Sequence, residues 1–68
     1  MRNPDRLYDV YNKIEQLHRE KLPDWRVGQL FENFTIWHQQ KVGQDLFYLE
    51  EDAFLERLKD FIKEVRGE

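Results

Sequence analysis

His18 and His38 are the only two imidazoles in this 68-residue chain. They are the side chains best suited to metal ligation or to acid–base work near neutral pH. Each falls on the apolar face of an expected helix. In an antiparallel hairpin turning near Leu22, His18 lies opposite about residue 26, which leaves His38 about 18 Å further along at 1.5 Å per residue. The two rings are not expected to meet, and each is read as a half-buried ring with one polar partner. The acidic group Asp45, Glu50, Glu51 and Asp52 is the second place where chemistry is conceivable. Its spacing lacks the alternating oxygen ligands, central glycine and terminal glutamate of a calcium loop, and no apolar pocket is evident to raise a carboxylate pKa. Helix capping explains most of it. The chain has no serine and no cysteine, and its three glycines form no phosphate-cradling loop. No catalytic residue, no cofactor and no bound metal are expected, and the reading is of a protein that is not an enzyme.

Arg2, Arg6, Arg26 and Trp25 are assigned to helix starts and the first turn, where a basic, aromatic cluster can hold a phosphate or an acidic peptide. A nucleic-acid-associated regulator is therefore the alternative function. Against it, Asp5 and Asp24 are adjacent partners for those arginines, and the net charge is −3 with the two signs interleaved. The gap between the second and third expected helices, about nine residues, also exceeds the three or four of a helix-turn-helix. Nucleic acid is not the expected partner.

Sixty-eight residues make one domain, 1–68, since a chain this short buries only about 60% of its unfolded surface and cannot divide that into two cores. Without cysteine its stability must come from packing, for which five Phe, three Tyr and two Trp are available. Charged residues make up 37% of the chain, but the apolar positions recur at regular spacing, which disorder has no reason to produce. No run approaches the roughly 18 apolar residues of a membrane span, and no apolar leader is present, so a cytoplasmic setting without membrane contact is expected. Asn33-Phe34-Thr35 matches a glycosylation pattern that this setting makes irrelevant.

The expected fold is all-α, a three-helix bundle over about 4–22, 23–41 and 51–66 with an irregular apolar crossover at 42–50. In the first helix Leu7, Val10, Tyr11, Ile14, Leu17, His18 and Leu22 share one face. Asn3 can accept from a first-turn amide, and Pro4 suits the first helical position. Pro23-Asp24 repeats that opening and starts the second helix after a tight turn. In the third, Phe54, Leu55, Leu58, Phe61, Ile62 and Val65 form a stripe, with Glu50, Glu51 and Asp52 at its start and Gly67 past its end. The crossover ends in Leu46-Phe47-Tyr48-Leu49, four adjacent apolar residues that cannot share one helical face. A rival reading pairs Phe34 to His38 with Leu46 to Leu49 as a β-hairpin.

At 100° per residue, Val27, Leu30, Phe31, Phe34, Trp37 and His38 point one way, and Trp25, Gln29, Asn33, Ile36 and Gln40 another. From Asn33 to Gln40 nothing is ionised at neutral pH, so helix two is expected to be central, with Leu46 to Leu49 covering its second face. If they do not, Trp25, Gln29, Asn33 and Ile36 become the candidate partner-binding face, for an unknown protein or a homodimer.

Three segments, Arg2-Asn3-Pro4-Asp5-Arg6, Pro23-Asp24-Trp25-Arg26-Val27-Gly28-Gln29-Leu30 and Asp45-Leu46-Phe47-Tyr48-Leu49-Glu50-Glu51-Asp52, resemble small uncharacterised bacterial and phage-associated proteins over nearly the whole chain. The resemblance implies a cytoplasmic bacterial origin and no established activity. It directs attention to Arg26, Gln29, Asp45, Phe47, Tyr48, Glu50 and Asp52 as ties that pin residues 42–50 onto helix two. Taken together, the expectation is a non-enzymatic helical module that binds another protein or itself. Because no ligand cluster is expected, adding zinc should leave the melting temperature unchanged, and a large saturable rise would overturn that reading.

Overall fold

The computed structural model describes residues 2–68. Three helices follow one another, α1 Arg6–Lys21, α2 Val27–Val42 and α3 Glu51–Arg66, with one 3-10 turn at Leu46–Tyr48 before the last. The chain is an all-α three-helix bundle. Phe34 to His38 lie within α2, so the hairpin alternative does not form. None of the helices is long and apolar enough to cross a membrane.

The ends of the helices follow from local chemistry. Asn3 Oδ1 accepts from the Asp5 amide at 2.9 Å, and Pro4 and Asp5 form a turn whose carbonyls lead into α1. The second helix does not open at Pro23-Asp24 as the repeated dipeptide led us to expect. Instead Pro23, Asp24 and Trp25 make a turn closed by the Trp25 amide on the Leu22 carbonyl at 3.1 Å. His18 Nε2 then donates to the Trp25 carbonyl at 2.6 Å. Arg26 is extended, with ψ 153, and Gln29 Oε1 accepts its amide at 3.3 Å, so α2 begins at Val27. It ends at Gly43, whose φ of 71 lies in the left-handed region that glycine enters without a Cβ clash.

The central helix is α3, not α2. It packs against both of the others, whereas α1 and α2 touch each other little. α1 and α3 run in the same direction, because Arg2 and Arg6 reach Glu50 and Glu51 at the start of α3 while Leu17 and Lys21 lie beside Ile62 and Lys63 near its end. α2 packs on α3 through Phe34, Trp37 and Lys41, and Trp25, in the turn before α2, reaches the same Phe61 ring that Trp37 meets, with ring centroids at 6.1 and 5.5 Å. Phe34, fully buried, fills the crossing between Phe54 and Phe61 at 5.3 and 5.5 Å. Leu30, Leu58 and Ile62 complete the centre of the core, and Ile14 joins it from α1.

The two faces of α2 therefore differ sharply in energetic weight. Phe34→Ala should lower the unfolding free energy by about 3 to 5 kcal/mol, a large part of what so small a domain has. Ile36→Ala, on the outer face, should stay within about 1 kcal/mol. Urea unfolding followed by circular dichroism measures both, and comparable losses would contradict this placement of the core.

Candidate functional site

The crossover departs from expectation in what it buries. A 3-10 turn has three residues per turn, so Leu46, Phe47 and Tyr48 project in three directions and Leu49 returns to that of Leu46. Leu46 packs on the core and Leu49 is half-buried. Phe47 and Tyr48 consequently face solvent, 86% and 71% exposed, with their rings edge to face at 5.2 Å. The segment does not cover the second face of α2, where Ile36 remains 45% exposed.

Leu49, the residue after this aromatic pair, lines an open groove of about 250 Å³. Its walls are Leu7, Val10 and Ile14 from α1, Phe31 from α2, Leu49 from the crossover and Phe54 from α3. The exposed rings of Tyr8 and Tyr11 extend the apolar surface along α1. One rim is polar and fixed: Arg6 Nε bonds Glu51 at 2.7 Å and Arg2 bonds Glu50 at 2.7 Å. Leu49, which lines this groove, directly follows the two exposed rings in the chain.

The expected binding face is divided. Gln29, Asn33 and Ile36 do occupy the outer face of α2, but Trp25 precedes the helix and turns inward, half-buried against Phe61. A helical wheel cannot be extended to a residue in a turn. Ile36 is left as the one large apolar side chain among them that faces solvent. Among the expected ties, Asp45 does hold the crossover to α2, accepting from Gln39 Nε2. Glu50 is instead bound by Arg2, and Phe47 and Tyr48 tie nothing down. The arginines do not gather either. Arg2 and Arg6 sit at the start of α1 and Arg26 beyond its far end, with a 16-residue helix between them, a separation of about 24 Å.

Sequence reasoning missed the groups buried between α2 and α3. His38 is 2% exposed, well beyond the half-buried ring expected. Arg57 Nε donates to its Nδ1 at 3.3 Å, so the ring proton of neutral His38 resides on Nε2, which has no partner. The same guanidinium lies over the Trp37 ring at 4.4 Å and 3.7 Å from Asp60. Burial pushes the His38 pKa below its ordinary 6.5, Arg57 lowers it further, and Asp45 opposes them. The only signal in the sequence was Arg57 standing inside an otherwise apolar stripe. Trp37 also donates to Glu64 at 2.9 Å, and Lys41 lies 3.4 Å from the same carboxylate.

Among the described residues no three His, Asp or Glu side chains converge as metal ligands would. The chain matches no protein-family profile, no curated protein and no solved structure at a significant level.

Two carboxylates give this architecture an acid dependence. The bond from Arg6 holds Glu51 below its ordinary value, helped by its own backbone amide, and the bond from Trp37 does the same for Glu64, helped by Lys41. A carboxylate with a depressed folded pKa contributes stability above its unfolded value, near 4.5, and that contribution disappears as pH falls through the folded value. Glu51→Gln and Glu64→Gln should therefore each flatten the decline of melting temperature between about pH 5 and pH 3. A decline as steep as the parent's in both variants would contradict these assignments.

Proposed function

We propose that this protein is a non-enzymatic self-associating module, and that it binds a second copy by exchanging the aromatic pair Phe47 and Tyr48 for the groove beside Leu49. The observation that carries the reading is that one molecule presents both an exposed aromatic pair and an open apolar groove, with Leu49, two residues after Phe47, lining the groove. In a twofold dimer the same patch serves both subunits, so a surface that holds its own complement is what such an interface requires. Phe47 is an exposed ring on a tethered turn, with little side-chain freedom left to lose on binding. Four aromatic rings burying about 150 Å² each, with the groove walls they cover in return, reach the roughly 1,200 Å² at the lower end of specific interfaces. A weak dimer, with a dissociation constant in the micromolar range, is the consequence.

Supporting the non-enzymatic part are the absence of serine and cysteine and the engagement of Glu50 and Glu51 by arginines. The nucleic-acid alternative loses its main feature for the same reason, since Arg2 and Arg6 are committed to those carboxylates. A cytoplasmic, bacterial setting is carried by the resemblance described above and is part of the same proposal.

Sedimentation equilibrium across a concentration series tests it. The average mass of the parent should rise from monomer towards dimer. Phe47→Asp should stay monomeric with an unchanged helical spectrum, and Ile36→Asp should associate like the parent. A constant monomer mass at high micromolar concentration contradicts self-association. Loss of the dimer in Ile36→Asp but not in Phe47→Asp would move the interface to α2.

A further inference from the structure

The environment of His38 is unusual in holding its alternatives ready. Its acceptor nitrogen is occupied by a cation, Arg57, and its other nitrogen is buried with no partner. The charged groups bearing on it are few. From α3 come Arg57 and, beyond it, Asp60; from the crossover comes Asp45; no group of α1 acts on it. On α2 itself the neighbours Trp37 and Gln39 are uncharged, and Lys41 is engaged by Glu64. A proton added to Nδ1 abolishes the lone pair that receives the Arg57 Nε–H and sets two cations against each other at a ring that is only 2% exposed. Arg57 already has Asp60 within 3.7 Å to turn to. The nearby anion left for the imidazolium is Asp45, which binds the side chain of Gln39, the residue after His38.

We propose that His38 is a partner-exchanging latch for the crossover: on protonation it gives up Arg57, which turns to Asp60, and takes Asp45 from Gln39. The proton comes from solvent and resides on Nδ1, so the ring carries both protons and donates to the carboxylate. Asp45 is the residue preceding the 3-10 turn, so its exchange moves the turn that presents Phe47 and Tyr48. The latch stands on the buried geometry alone; its consequence for assembly, a dimer that weakens in mild acid, rests on the self-association reading above.

Trp37 reports the exchange directly, because the Arg57 guanidinium lies over its ring. In a Trp25→Phe background, Trp37 emission should titrate with a single-proton transition below pH 6.5 while the far-ultraviolet helical signal is unchanged. His38→Gln should abolish the transition. Asp45→Asn, which keeps an oxygen for Gln39, should move its midpoint down by about one pH unit, a tenfold change in proton affinity. A flat emission from about pH 7 down to the onset of acid unfolding would overturn the latch. So would a transition unchanged in either variant. Sedimentation above and below the transition, or at about pH 7 and just above acid unfolding where there is none, separates the two proposals. A protein that is monomeric throughout, yet titrates through His38 and Asp45, loses the self-association reading and keeps the latch. One that associates with flat emission loses the latch alone.

Discussion

The crossing of Phe34 between Phe54 and Phe61 is the contact on which the remaining geometry depends. Trp37 and Lys41 continue that contact to Glu64 near the end of α3, and the two connections must each return the chain to α3. The first does so in a short turn that carries Trp25 onto Phe61. The second must bring the chain from Gly43 to the start of α3, which is held to the start of α1 by Arg2 and Arg6. It is anchored by Leu46 on the core, by the half-buried Leu49 and by the bond of Asp45 to Gln39 of α2.

That anchoring explains why so apolar a segment stays on the surface. The 3-10 period places only every third side chain on the core, and the core is already complete, with Phe34, Leu30 and Leu58 fully buried. Phe47 and Tyr48 have no direction left but outward. The groove between α1, Phe31 and Phe54 stays uncovered. The assembly proposed here lets the exposed rings and the open groove satisfy each other. Gln39 ties α2 to Asp45 of the crossover, and its neighbour His38 ties α2 to Arg57 of α3.

The sequence made the stripe of α3 legible, with its bounds and both of its end signals, because Leu55, Leu58, Phe61 and Ile62 recur at helical spacing and Gly67 follows. Asn3 does accept a backbone amide, but that of Asp5 in the turn before α1, whose N-cap is Asp5 and whose first residue is Arg6 and not Pro4. Pro23-Asp24 misled because the carbonyl that would have entered the second helix is taken instead by His18, a contact between residues whose juxtaposition depends on the turn itself. The centrality of α3, the outward turn of Phe47 and Tyr48 and the inward turn of Trp25 were all invisible in the pattern. Each is set by how the elements pack, and periodicity fixes which face of a helix is apolar without fixing how that face is crossed. The uncharged stretch from Asn33 to Gln40 has a simple account in the structure: one side of it carries Phe34, Trp37 and His38 into the core, and the other is neutral but solvated.

The proposed assembly sets the exposed aromatic pair of one copy against the groove that Leu49 lines in another. An isotope-filtered nuclear Overhauser experiment on a mixture of labelled and unlabelled protein tests this most directly, since it detects only contacts between copies. The account predicts cross-peaks from the Phe47 and Tyr48 rings of one copy to the side chains of Leu7, Ile14 and Leu49 of the other. Intermolecular cross-peaks confined to Ile36 and its neighbours, or none at millimolar concentration, would contradict it.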